Sequence, residues 1–454
     1  MRTKRSLMSA LAAISIAGLA ACSSAADTSS SETEEAAPPP DQTEETIQYG
    51  LLAGKPYDGE EITFVICCQG AAQFQAWRAS AVEFKNLTGI DVFFTDDPLG
   101  GLREKLITES VSNPGSWDAG LYFDTWLPDL AQYLEPLDNL MTVDSEDYPA
   151  ATADLGTWDG EVYGIPARSH VMMMYYRQDI FDELGLEVPA TQEELIETAR
   201  LISEAGLGVE GFTLNYAKQP SISPLPWINM VMANGGSIFN EDGSPNFASA
   251  EGVQAAENYQ ALLDYAPAGA AAYNEGDARN SFASGEAAMT IAWSWAMEIF
   301  ANPALADEAV LGNVGYTAAI PGLTGAGDPI AMSWPIGISA SSEKKGAAAE
   351  WLKWMTNPDL DQRIITEKSI NGQATVVANR LSSMFSDEAN AESANNGFSN
   401  AMGEAYANAK HQPIYAGFSA VTEVIEVALS EIIGGADPQA TLEKAETDAA
   451  ALLN

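Results

Sequence analysis

Trp158-Asp159-Gly160-Glu161-Val162-Tyr163-Gly164-Ile165-Pro166, followed closely by Val171-Met172-Met173-Met174-Tyr175-Tyr176, decides how this chain folds. The Asp159-Gly160 pair predicts a tight hairpin turn that returns into an extended run. The stretch 171–176 carries no charge and reads as a strand covered on both faces, of crossover type. Asp179-Ile180-Phe181 then lies in a helix. Arg168 and His170 stand on the approach to the apolar strand. A guanidinium there suits a carboxylate or a pair of hydroxyls, and an imidazole suits a hydrogen bond to a ligand. A surface arginine and a satisfied core histidine are the plain alternatives.

On the N-terminal side, 62–66 reads as a buried strand and 72–87 as an amphipathic helix with Phe74, Trp77, Ala81 and Phe84 on one face. A strand over 90–95, a helix over 99–112 and a strand over 119–123 follow. On the C-terminal side, helices are expected at 191–205, 249–264, 345–355 and 417–433, with loops and loose helices over 371–408. Strands alternating with helices point to an α/β architecture. A length of 454 residues predicts two or three lobes.

The chain holds 64 Asp plus Glu against 21 Lys plus Arg, a net charge of −43. Such a charge repels phosphate backbones and anionic lipid, and it excludes a nucleic-acid-binding role. Two histidines, His170 and His411, are too few for a multi-His metal site. At the N-terminus, Arg2, Lys4 and Arg5 precede an apolar stretch, 7–19, too short to stay as a membrane span. It ends in Leu19-Ala20-Ala21-Cys22, which resembles the lipobox of bacterial lipoproteins, whose cysteine is diacylated and becomes the first mature residue. An ordinary secretory signal is the alternative. Several acyl chains give stable anchoring. Removal of 1–21 leaves 18 basic against 64 acidic residues, a net −46. Residues 22–49, rich in Ser, Thr, Glu, Ala and Pro, read as an acidic disordered tether. The acidic coat suggests a saline habitat, where salt screens it.

Cys67-Cys68 ends the first strand. A strained vicinal disulfide, free thiols, an interchain link and two small core residues all remain open. Ten tryptophans are available, with Trp126, Trp227, Trp293, Trp295 and Trp334 in loop-like or strand-end contexts. Trp77, Trp351 and Trp354 have helical spacing and read as core. Flat aromatic faces suit the C–H faces of polyhydroxylated ligands. Asp242-Gly243 reads as a turn rather than a calcium loop. There is no Gly-x-Ser-x-Gly elbow, phosphate-binding glycine loop or His-Glu-x-x-His, and nothing selects a catalytic pair or a cofactor.

In order along the chain, Phe84-Lys85-Asn86-Leu87-Thr88-Gly89-Ile90-Asp91-Val92, 159–166, Tyr176-Arg177-Gln178-Asp179-Ile180-Phe181, Asn234-Gly235-Gly236, Phe282-Ala283-Ser284-Gly285-Glu286-Ala287-Ala288-Met289 and Ile320-Pro321-Gly322 form a set. With them, the chain after the tether resembles the solute-binding proteins of bacterial ABC importers, the family of maltose-binding protein and many sugar and polyol receptors. The resemblance implies an α/β periplasmic-binding-protein fold of type II, with two lobes, a hinge and a ligand cleft between them. It places the first lobe at 50–170 and 322–372 and the second at 175–316 and 376–454, with crossovers near 170–174, 315–321 and 372–376.

By motif position the resemblance brings Cys68, Gln69, Asp124, Trp126, His170, Trp227, Trp295, Trp334 and Tyr415 toward the ligand, with Cys22 lipidated, and Arg168 joins them as a candidate from its own place before the apolar strand. The implied protein is a monomeric, lipid-anchored receptor on the outer face of the cell membrane. It delivers a sugar, oligosaccharide or polyol to the transmembrane subunits of an ABC permease, without chemistry, cofactor or metal. A secreted carbohydrate-active enzyme, an adhesion lipoprotein, and a receptor for an amino acid, polyamine or metal are the alternatives.

Overall fold

The computed structural model describes residues 45–68, 71–219, 222–367, 377–392, 397–412 and 414–453. Eight strands form one sheet: β1 (Glu61–Cys67), β2 (Asp91–Asp97), β3 (Ala119–Leu121), β4 (Ile165–Arg177), β5 (Met289–Trp293), β6 (Val314–Thr317), β7 (Ile330–Ile338) and β8 (Lys410–His411). Their order is β2-β1-β3-β7-β4-β5, with β8 added on β7 and β6 on β4. The β2-β1-β3 part is parallel, and β7 joins it antiparallel to β3.

The long strand β4 organises the rest. Ile165 to Val171 pair with β7, and Met172 to Tyr176 pair with β5, with β6 alongside from Met174 to Arg177. The partner thus changes between Val171 and Met172, inside the apolar run. Thirteen residues at about 3.3 Å each span roughly 40 Å, enough for one strand to serve two bodies. This is a two-lobed α/β fold, with β4 the longest strand of its sheet. The strand enters through a hairpin, Thr157–Trp158 against Glu161–Val162, whose turn residues Asp159 and Gly160 both have positive φ (51° and 84°). That is the turn the Asp-Gly pair specifies. It leaves through Arg177, whose guanidinium bonds both oxygens of Asp179 at 2.7 and 2.6 Å and fixes the step into the helix Gln178–Leu184.

The helix Ala72–Thr88 buries Phe74, Trp77 and Phe84 against the sheet. It stops at Gly89 (φ 82°), where a Cβ would fall 2.0 Å from Asp58 Oδ1, so no other residue fits unchanged. Trp351, on the helix Lys345–Met355, packs edge-on to Phe64, Phe84 and Phe94, and Trp77, Trp351 and Trp354 are all core as their spacing predicts. The helices Gln192–Glu204, Ala250–Leu262 and Phe418–Ile433 also fall where periodicity puts them; Thr191 and Ser249 cap the first two.

Differences from expectation have local causes. The third strand stops at Leu121, because Asp124–Trp126 closes into a single 3-10 turn. Trp227 lies inside the helix Leu225–Ala233 rather than in a loop, since Pro226 in the first turn is compatible with a helix start. Trp334 lies within β7 rather than at a strand end. Over 371–408 the described residues include the short helices Leu381–Met384 and Asp387–Glu392 and a longer one, Phe398–Asn408. The crossover expected near 372–376, the lipidation site Cys22 and residue Gln69 lie outside the described residues. Among the described residues, no helix is long and apolar enough to cross a membrane.

Candidate functional site

Side chains alternate along a strand, so Arg168, His170 and Met172 share one face of β4, while Ser169, Val171 and Met173 share the other. The register sets Trp334 opposite Arg168, Met332 opposite His170 and Trp293 opposite Met172. Directly opposed residues lie on the same face. Pairing therefore assembles a surface of one guanidinium, one imidazole, two indoles and two thioethers. The other face sends Val171, Met173 and Tyr175 into an apolar core with Phe282, Phe300 and Phe398.

Arg168 is 4% exposed, and its guanidinium carbon sits 4.9 Å from the Phe74 ring, 5.6 Å from Trp334 and 5.8 Å from Trp295. Trp295 also lies 4.7 Å from the guanidinium of Arg279, which bonds both oxygens of Glu275 at 2.9 and 3.1 Å. The Trp334 ring is edge-on to Phe123 at 4.2 Å, and Phe123 is 4.7 Å from Trp126. A continuous aromatic row thus runs from the Asp124–Trp126 turn to the helix Glu275–Ala283, interrupted only by two cations stacked on its rings.

A buried polar chain holds this surface from behind. Asp361 accepts from the backbone N–H groups of Asn379 and Arg380 and from Asn379 Nδ2. Asn379 Oδ1 accepts from the Ser169 N–H at 2.8 Å, and Ser169 Oγ lies 3.0 Å from Ser333 Oγ. The Ser333 N–H donates to Asp124 Oδ2 at 2.8 Å, while Asp124 Oδ1 accepts from Thr125 N–H. Ser169 sits between Arg168 and His170, and Ser333 precedes Trp334, so the chain fixes the two strands where they present their functional faces. Burial raises the Asp361 carboxyl and pushes that of Asp124 up to about 6, against the backbone donors that pull it down.

On the functional face, several buried polar atoms have no hydrogen-bond partner among the described residues: Arg168 Nε, both ring nitrogens of His170, Trp334 Nε1, Gln73 Oε1 and Arg279 Nε. Burial, and then the charge of Arg168, hold His170 well below its usual pKa, so its ring is neutral, with one donor and one acceptor. Gln73 reaches the site through Nε2, which donates to the Ala167 carbonyl at 3.1 Å. Cys67 and Cys68 are free thiols with Sγ atoms 2.8 Å apart; Cys68 is exposed and has φ 56°. The hydrogen bond with Cys67, and after it the charge of Arg168, lower the Cys68 pKa, while Cys67 is raised. Among the described residues, no group of three or more His, Cys, Asp or Glu is placed to hold a metal ion.

Of the residues expected at a ligand, the structure brings together Asp124, Trp126, Arg168, His170, Trp295 and Trp334, with Cys68 within electrostatic reach of Arg168. Asp124 spends an oxygen on each of two backbone donors and so acts on strand position. Trp227 is fully buried with its indole N–H on the Gly252 carbonyl, and Tyr415 packs on Phe239 at 5.0 Å; neither contacts this face through a described interaction. Sequence reasoning missed Gln73, Glu275 and Arg279. Gln73 had a usable signal, its place just beyond the carboxyl end of β1. Glu275 and Arg279 carried no such signal, because an i,i+4 pair on a helix does not reveal which surface it faces.

A solute-binding protein of an ABC transporter from Agrobacterium radiobacter K84, solved with ribitol, superposes with a TM-score of 0.76 at 26% identity, covering 88% of this chain and 100% of that one. A protein of Sinorhizobium fredii, named as a probable amino-acid ABC transporter periplasmic-binding protein, is 25% identical over 323 residues, 68% of this chain and 72% of that protein. The mannitol-binding protein of Pseudomonas aeruginosa is 26% identical over 266 residues, 56% of this chain and 60% of that protein. The model of the bacterial extracellular solute-binding protein family matches residues 70–362, more than half of the chain, and the chain belongs to that family.

Proposed function

We propose that this protein is the receptor of an ABC importer and captures a carbohydrate or polyol on the Arg168–His170 face of β4. The observation that carries this reading is the cluster of buried, unpartnered donors and acceptors on Arg168, His170, Trp334 and Gln73 beside aromatic faces. A hydroxyl both donates and accepts, so a chain of hydroxyls satisfies such a mixed set while its C–H face lies on Trp295 or Trp334. Ribitol and mannitol in the names of similar proteins support the same class. Lobes at 50–170 with 322–372 and 175–316 with 376–454 would close over the ligand, β4 serving as one crossover. Loaded and empty forms then differ in shape, which is what a permease needs to tell them apart. Acylation of Cys22 would hold the receptor at the outer face of the membrane.

An amino-acid cargo is a second reading, favoured by the buried Arg168 and by the name of the Sinorhizobium relative. A thermal-shift screen of the purified protein against sugars, polyols, sugar acids, amino acids and polyamines separates them. Stabilisation by a polyhydroxylated compound, without turnover, is expected. Stabilisation by amino acids or polyamines alone would overturn the carbohydrate assignment.

A further inference from the structure

Arg168 is a buried charge that a neutral ligand leaves without a counterion. At the same site, Arg279 has its own, bonded to both oxygens of Glu275. Among the described residues no acidic side chain pairs with Arg168, which is 4% exposed and has an unpartnered Nε. Glu298, Cys68, Cys67 and Glu275 act on it only through space, and Glu275 is committed to Arg279. Asp124 is committed to the N–H groups of Thr125 and Ser333. His170, two residues along the same face, is neutral and offers no negative charge. The three aromatic rings around the guanidinium offset part of its burial through their π faces.

Hydroxyl groups accept from the N–H donors of such a guanidinium without cancelling its charge, whereas a carboxylate does both in one bidentate contact. We infer that the ligand is a polyhydroxylated acid, with its carboxylate on Arg168 and its hydroxyls on His170, Trp334 and Gln73. This rests on the receptor reading and narrows it. The net charge of −43 opposes the approach of an anion only at long range, where salt screens it; the guanidinium acts in contact.

Titration calorimetry with matched pairs tests the inference: D-glucitol with D-gluconate, ribitol with D-ribonate, and D-galactose with D-galacturonate. In any pair that binds, the acid should bind at least ten-fold more tightly, about 1.4 kcal/mol. Arg168→Gln should bring that ratio near one, and Arg168→Lys should retain the acid preference. If the Gln variant does not fold, the wild-type ratios decide alone. A neutral partner that binds as tightly as its acid overturns the inference and leaves the carbohydrate receptor standing. Binding of glycine or L-glutamate with no binding of any pair overturns both.

Discussion

Asn379 is far from the proposed ligand face in sequence, yet it holds the strand that presents Arg168 and His170. Asn379→Ala removes two buried interactions at once. The Ser169 N–H loses its acceptor at 2.8 Å, and Asp361 loses the Nδ2 donor at 3.0 Å. A buried donor left unpaired costs about 1–3 kcal/mol, and a hydrogen bond to a charged group contributes about 1.5–3 kcal/mol. Asp361 keeps the backbone N–H groups of residues 379 and 380, so the two losses overlap, and about 3 kcal/mol is expected in all. With an unfolding entropy of about 2.1 cal/mol/K per residue over about 400 residues, this corresponds to a fall in Tm of roughly 3–4 °C. Ser169→Ala removes only the hydroxyl contact with Ser333 and should cost about 1 kcal/mol, so the order of the two variants is itself a test. Calorimetric unfolding of wild type and both variants provides the readout. A shift below 1 °C for Asn379→Ala, or a larger one for Ser169→Ala, would refute the reasoning that this chain positions β4.

Other consequences follow from the same structure. The Asp124 carboxyl titrates near 6 when folded against an ordinary 3.8, so the folded state holds the proton more tightly. Its contribution to stability is therefore full below about pH 4 and falls by about 3 kcal/mol as pH rises through 6. Asp124→Asn should flatten that part of the stability–pH profile; an unchanged slope between pH 4 and 7 would contradict the assignment. Cys68, exposed and with its pKa lowered by the contact with Cys67, should be alkylated by iodoacetamide before buried Cys67, as peptide mapping would reveal. Equal labelling of the two would argue against the free-thiol arrangement. The net −43 predicts that raising NaCl from 0.1 to 1 M, which shortens the Debye length from about 10 to 3 Å, raises Tm. A salt-independent Tm would show that self-repulsion does not limit stability.

Much of the α/β frame was legible because apolar period and turn chemistry agree locally, as in 72–87, 191–205 and the Asp159-Gly160 hairpin. The proposed ligand face was legible in part. Arg168 and His170 stand out as polar residues in an apolar strand, but only the pairing register shows that Trp334 and Trp293 lie across from Arg168 and Met172. Trp227 misled because an indole reads the same in a loop as in a helix whose first turn holds proline. The supporting chain from Asp361 to Asp124 joins residues more than 200 positions apart, and neither periodicity nor spacing encodes such contacts. Half-buried Glu275 and Arg279 escaped notice for the same reason: an i,i+4 pair declares its partner but not the Trp295 ring it faces.

A polyhydroxylated solute bound against the aromatic and polar face of β4 would lie on the Trp295 ring. Titration calorimetry of the wild type and Trp295→Ala with a stabilising compound from the thermal-shift screen tests it most directly. One saturable site per chain is expected, with an affinity at least ten-fold weaker in the variant and its fold intact by circular dichroism. Saturable binding that Trp295→Ala leaves unchanged would place the ligand elsewhere and contradict the account.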